Sequence, residues 1–383
     1  MRDVAIIGIG QTPVGEHWQL GLRDLAADAA RSALQDAGID SVESLIVANA
    51  FGATISSQSH LAPLVADFAG LRGVETFAVE AAEASGGAAL RAGVMAVASG
   101  AVDTTLVLGV EKASDMIGSA RVRARTVSLD ADDEAVQGAT LPALAALLMR
   151  RYMVEYGVEL AAFEGFSINA HANGAKNANA MYRNLIKQGA FGKAPMIADP
   201  VSLFDGAPDA DGAAAVILTT AERAGDLVPQ PVRIIGGGAS SDTLALAERD
   251  DLLWLRAVER STEQALQRAV ISREQINLIE LTDTFTILAA LSLEASGFAA
   301  RGEGWRLAQD GSIGLASRLP ISTFGGLKSR GNPVGATGIY QAVEAVLQLR
   351  GAGGANQVSN AQIAMIQSVG GLGSTAFTHI LST

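Results

Sequence analysis

Apolar positions fall into short runs and longer stripes that alternate along the chain. Residues 4–9 form a β-branched run ending at Gly10 and predict a buried strand. Over 22–37 the apolar positions recur at helical spacing and stop at Gly38, which predicts a helix. Residues 45–48 predict a strand, 60–69 a helix, and 77–79 the end of another buried strand. From 88 to 99 the chain is apolar nearly all round, with Arg91 its one charge, so a buried helix is expected. Residues 104–110 predict the next strand. This alternation argues for a mostly parallel sheet.

Between Glu111 and about residue 196 the rhythm breaks. The stretch holds Ser119-Ala-Arg121-Val-Arg123-Ala-Arg125, an acidic run over 130–134, and helical patterns at 144–156 and 163–172. It reads as an inserted, mainly helical domain. The sheet resumes at Asp211-Gly-Ala-Ala-Ala-Val-Ile-Leu218. After Pro231 the pattern begins again. Val232-Arg-Ile-Ile-Gly echoes Val4-Ala-Ile-Ile-Gly, and the helix at 253–270 followed by Leu278-Ile-Glu-Leu echoes 22–37 followed by 45–48. Gly335-Ala-Thr-Gly338 with its apolar helix echoes Gly86-Gly87 with theirs, and a last strand at 363–369 echoes 104–110. A repeat this long is a strong signal of duplication. The expected organisation is a first half at 1–115 plus 197–230, an inserted helical domain at 116–196, and a second half at 231–383.

Composition narrows the function. Of 383 residues, 49% are hydrophobic and 18% charged, which predicts a large buried core. A formal charge of −12 with no long basic block argues against a nucleic-acid partner. The chain has no cysteine, which excludes disulfides and thiolate metal sites and fits a cytoplasmic location. The apolar run at the N-terminus is too short for a signal peptide, and Arg91 with its small neighbours suits a core helix better than a membrane span. His17, His60, His171 and His379 lack the spacing of a metal site and are expected at the surface or satisfied, so neither metal nor bound cofactor is predicted.

The candidate chemistry centres on Val79-Glu-Ala-Ala-Glu83-Ala-Ser-Gly86-Gly87-Ala-Ala-Leu90. Glu83 stands at the start of the apolar helix, where free N–H groups and the helix dipole favour an anion by about 0.3–1 kcal/mol. Apolar burial works against that charge. Two roles follow: a carboxylate that caps the helix, or an acid/base.

This stretch resembles the nucleophile segment of the thiolase superfamily, roughly V-E-A-A-C-A-S-G-G-A-A-L, with Glu83 where the family has cysteine. Leu108-Gly-Val-Glu-Lys-Ala-Ser-Asp115, the Asp211-Gly-Ala-Ala-Ala strand and Phe324-Gly-Gly-Leu-Lys-Ser-Arg-Gly-Asn332-Pro-Val-Gly-Ala-Thr-Gly338 resemble further family segments. The version is most similar to the sterol-carrier-type and archaeal-type thiolases, acetyl-CoA acetyltransferase-like. The resemblance implies an α/β fold of duplicated βαβαβαββ halves, layered α-β-α-β-α, with an inserted helical loop domain. It also implies an acyl-CoA ligand, a homodimer, and a small OB-fold protein as a further partner.

The departures bear on mechanism. Thr282 stands at the histidine of the family's H-D-C-F motif, Asn332 at the histidine of G-H-P, and Ser368-Val-Gly370-Gly371 resembles the late C-x-G-G segment. Glu83, Asn332, Thr282 and Ser368 are therefore the candidate catalytic positions. By the same resemblance Arg121, Arg123, Arg183, His171 and Gly371 are candidates for contacting an acyl-CoA, with Arg125 and Lys187 alongside. Asn332 can donate to an oxyanion but cannot shuttle a proton, and Thr282 is no base. The expectation is carbon–carbon bond chemistry on a CoA thioester without a covalent acyl-enzyme, of the retro-aldol kind. The alternative is a non-catalytic acyl-CoA-binding or scaffold subunit. Ordinary cysteine-dependent thiolase activity is not expected.

Overall fold

A computed structural model of the protein describes residues 2–383. The first half contains β1 (Val4–Gln11), α1 (Leu22–Ala37), β2 (Ser44–Ala48), α2 (Leu61–Phe68), β3 (Glu75–Val79), α3 (Ser85–Ser99) and β4 (Thr104–Glu111). The stretch that follows carries α4 (Gly118–Arg125), α5 (Leu141–Tyr156) and α6 (Glu164–Gly174), then a small ribbon of β5 (Met196–Ala198) and β6 (Val201–Ser202). The first half ends with β7 (Gly212–Thr220) and α7 (Ala221–Leu227). The second half runs through β8 (Val232–Ser241), α8 (Arg256–Ala269), β9 (Leu278–Leu281), α9 (Thr286–Ala295), α10 (Gly304–Gln309), α11 (Thr337–Leu349), β10 (Ile363–Gly370) and β11 (Thr375–Ser382).

The large sheet has the order β3-β2-β4-β7-β1-β8-β11-β10-β9. Its two halves mirror each other. β2 is parallel to β4, and β7 is antiparallel to both β4 and β1. In the same way β9 is parallel to β10, and β11 is antiparallel to both β10 and β8. A single parallel bridge from Ile279 to Ile321 stands where β3 pairs in the first half. The halves join through β1 and β8, in register Val4 to Ile234 and Ile6 to Val232. The duplication read from the sequence is thus a duplication of topology. Two details differ. The sheet is mixed rather than mostly parallel, because β7 and β11 return antiparallel between their neighbours. β11 is a strand that the sequence reading passed over.

Between the two halves of the sheet lie α3 and α11, packed on each other and on strands of both halves. Outside the first half sit α1, α2 and α7; outside the second sit α8 and α9. This gives five layers. The central layer is thin because glycines line its crossing. A Cβ on Gly86 would lie 2.7 Å from the Gly338 nitrogen, and one on Gly338 would lie 2.4 Å from the Gly87 nitrogen. Only residues without a side chain allow the two helix starts to meet there.

Two burial expectations need correction. β3 is an edge strand and not a buried one, with Phe77 41% exposed. α3 is buried on one face only: Leu90, Gly93 and Val97 are inside, whereas Met95 is 53% exposed. β3 is open because it ends the sheet, and Met95 lines an open cleft between α3, the start of β1 and β8. Among the described residues no helix is long and apolar enough to cross a membrane.

Candidate active site

The strand β3 ends at Val79, and the chain makes one 3₁₀ turn, Ala82–Ala84, before α3 begins. Glu83 sits in that turn and is 1% exposed. It does not cap α3, which has no side-chain cap. Its Oε1 accepts a hydrogen bond from Arg125 Nη2 at 3.1 Å, and its Oε2 accepts one from the Gly371 N–H at 2.8 Å. Arg125, at the end of α4, also pairs with Asp209 and lies over the Phe51 ring at 5.5 Å. Burial alone would weaken the proton affinity of Arg125. The carboxylates of Asp209, Glu83 and Glu111 more than offset this and hold it above the usual arginine value. Arg121 lies one helical turn earlier and reaches the same Asp209 at 3.5 Å.

Glu111, the last residue of β4, is the third carboxylate around Arg125. It accepts from the backbone N–H groups of Ala50, Phe51 and Gly335, at 2.9–3.1 Å, and from Asn49 Nδ2 at 3.0 Å. Full burial pushes its carboxyl up to about 7, against the pull of those N–H groups and of Arg125.

Asn332 follows a π-helical turn, Gly326–Arg330, and is wholly buried. Its backbone bridges to Asp209 and donates to the Pro208 carbonyl. Its Oδ1 accepts from the Val334 N–H at 3.1 Å and from Thr337 Oγ1 at 3.2 Å. The Nδ2 is buried with no partner among the described residues. Buried donors are seldom left unpaired, so this amide is a ready hydrogen-bond donor. The turn holding Glu83 packs against 334–336 and against β10. Thr282, at the end of β9, donates to the Gln367 carbonyl at 3.2 Å and accepts from the Val369 N–H at 3.0 Å. Its hydroxyl ties β9 to β10. Ser368 is turned into the helix layer, where Oγ donates to Gln341 of α11 at 2.9 Å and lies against Gly87 and Gly338.

The structure therefore gathers Glu83, Gly371, Asn332 and Thr282 around the end of β10, with Ser368 facing away from Glu83's carboxylate partners. Arg125, Asp209 and Glu111 complete this cluster, and the sequence reading did not single them out for it. The spacing of Arg121 and Arg125 was a usable signal, since it places both on one helix face.

A cleft of about 640 Å³ opens beside this cluster, lined by His171, Tyr182, Leu203, Phe204, Pro208 and Lys328 among others. His171 Nδ1 is 2.9 Å from the Asn184 carbonyl, and burial and then the Lys328 charge lower its proton affinity. Lys328 is 2% exposed and donates to the Asp205 carbonyl. Burial draws its ammonium below the usual lysine value, although Asp205 and Asp283 oppose this. Arg123 and Arg183 are exposed. Lys187 lines the cleft.

The family model described as Thiolase, N-terminal domain matches residues 4–190, and that described as Thiolase C-terminal domain-like matches residues 238–383. The acetyl-CoA acetyltransferase of Methanothermobacter thermautotrophicus is 40% identical over 384 positions, covering 100% of both chains. The benzoylsuccinyl-CoA thiolase subunit BbsB of Thauera aromatica is 29% identical, over 99% of this chain and 94% of that one. Among solved structures, the Ltp2-ChsH2(DUF35) aldolase superposes with a TM-score of 0.87 at 25% identity, covering 100% of this chain and 98% of the other. With both family models spanning most of its length and a full-length relative at 40% identity, the chain belongs to the thiolase family.

Proposed function

We propose that this thiolase-family chain acts on a CoA thioester without a cysteine-bound acyl intermediate, by aldol or retro-aldol chemistry. The observation that carries this is the absence of any cysteine, and by the resemblance Glu83 stands in its place. Glu83 occupies the turn before α3. The similarity to the Ltp2-ChsH2(DUF35) aldolase supports the same reading. In a retro-aldol step a base takes the proton of the β-hydroxyl group. The bond between the α and β carbons breaks, the β carbon leaves as a carbonyl, and the electron pair remains as the thioester enolate. An acid then returns a proton to the α carbon. Glu83 is our candidate acid/base, and the unpartnered Asn332 amide our candidate donor to the enolate oxygen. The acyl chain would occupy the cleft beside His171 and Lys328. Arg123, Arg183 and Lys187 remain candidates for the phosphates, whereas Arg121 and Arg125 are engaged by Asp209.

The assembly we propose is a cytoplasmic homodimer formed through the β3 edge, with a small OB-fold protein as a further partner. A second reading, a non-catalytic acyl-CoA-binding or scaffold subunit, is favoured by one observation. Both carboxylate oxygens of Glu83 are already engaged. The purified chain, with and without a co-expressed partner, should be given β-hydroxyacyl-CoA thioesters and assayed for a released carbonyl product. Release that is lost in Glu83→Gln supports the enzyme. Tight CoA-thioester binding with no release from any thioester supports the scaffold, and thiolysis of acetoacetyl-CoA by free CoA contradicts both.

A further inference from the structure

A second cleft, of about 300 Å³, opens where the start of β1, the exposed face of α3, β8, β11 and the end of α8 meet. None of its lining residues belongs to the cluster around Glu83. Its basic groups are Arg2, Arg91, Arg268 and His379, and its one acid is Asp3. Asp3 is paired with Arg233 at 3.0 Å. Arg2 is held by Asp103 and by the carbonyls of Val97 and Val102. Arg268 donates to the Gly237 carbonyl. Among the described residues, neither Arg91 nor Arg268 has a carboxylate partner. Burial and then the neighbouring charge of Arg268 lower the proton affinity of Arg91.

His379 makes the arrangement unusual. The sequence reading expects it at the surface or satisfied, yet it is 1% exposed and both ring nitrogens lack a partner among the described residues. Buried imidazole nitrogens without partners are rare in native proteins and call for an explanation. Register supplies the geometry. His379 of β11 lies opposite Gly237 of β8. A Cβ placed on Gly237 would sit 3.6 Å from Arg91 Nη1 and 3.9 Å from His379 Nε2. Because residue 237 is glycine, that point stays open between the two donors. Burial and then Arg91 push the imidazole down to about 3, so it is neutral near pH 7 and keeps one N–H to donate. An uncompensated cationic hollow in a chain of net charge −12 is matched to an anion.

The geometry points to an oxyanion-binding site in this cleft: the phosphate or carboxylate group of a small metabolite seated over Gly237, accepting hydrogen bonds from Arg91 and His379. Arg268 adds charge at the rim. The site stands apart from the chemistry at Glu83 and does not depend on it, although both use α3.

Calorimetric titration of the full chain with inorganic phosphate and with acetate, at constant ionic strength in chloride, tests this. Saturable heat with either anion is expected, and which one responds identifies the head group. Arg91→Gln should weaken binding about tenfold or more, as expected for the loss of a charge-assisted bond. Gly237→Ala should do the same by filling the seat. Its methyl meets its neighbours at ordinary contact distances, so the fold is retained. Arg31→Gln, on the solvent face of α1, should leave binding unchanged. Absence of saturable heat with both anions, or equal affinity in all three variants, overturns the site.

Discussion

Arg125 Nη2 stands 3.1 Å from Glu83 Oε1, so the buried Glu83 carboxylate is one half of an ion pair with a partly buried arginine. The same guanidinium holds Asp209, whose backbone bridges to Asn332. One arginine thus ties together the turn before α3, the inserted stretch and the Asn332 loop.

Arg125→Gln leaves the buried Glu83 with the Gly371 N–H alone and Asp209 with Arg121 alone. Removing one side of a buried pair typically destabilises by about 3–5 kcal/mol. Denaturant unfolding should show a loss on that order. Adding Glu83→Gln should recover part of it, giving a double-mutant cycle far from additive. Additive losses would show that the pair is not coupled.

Glu111 gives the fold a pH signature. Its carboxyl is held up to about 7, against an ordinary value of 4.5, by burial. Between those values the unfolded chain releases this proton and the folded chain keeps it. Stability from this group is therefore complete below about 4.5, falls as pH rises through 7, and is level above. At about 1.4 kcal/mol per pH unit the fall is on the order of 3 kcal/mol. Unfolding of wild type and Glu111→Gln from pH 4.5 to 8 should show the difference moving in favour of the variant. A difference that is flat with pH would contradict this.

Asn332→Ala removes the unpartnered donor and also the acceptor for Val334 and Thr337. A stability loss of about 1–3 kcal/mol is expected from the unmet donors. If the amide binds an enolate oxygen, kcat should fall about 10²–10³-fold with KM little changed. A change confined to KM would assign it to ground-state binding.

Glu83→Cys should not create a thiolase. The thiol would lie beside Arg125, which favours thiolate. Proton transfer is still missing, because Asn332 cannot titrate and the Thr282 hydroxyl is engaged between the Gln367 carbonyl and the Val369 N–H. Acetoacetyl-CoA thiolysis at background level is expected; clear turnover would mean these two positions are not limiting.

The β3 edge carries the dimer proposal. Phe77 is 41% exposed on β3, the edge strand, beside a row of unpaired strand groups. Light scattering should give a dimer for the wild type, and Phe77→Lys should shift it to monomer with the fold intact. A monomeric wild type would remove the proposal.

The sequence by itself determined the family fold, the duplication and most elements of the two halves, though not α7, α9, α10 or β11. Apolar spacing, β-branched runs and Gly38 or Gly100 stops act within a few residues and are readable locally. It also singled out Glu83, Thr282 and Asn332 as candidates by their neighbours. Tertiary structure alone decided what those side chains touch. Gly371 meets Glu83 from 288 positions away, and Arg125 meets it from 42. Such partners are set by how layers stack, and no local pattern encodes that. The same reason hid the exposure of β3, the raised carboxyl of Glu111 and the unpartnered ring of His379. Burial is a property of the assembled layers, and the free energy of a charge or an imidazole follows from burial more than from its neighbours in sequence.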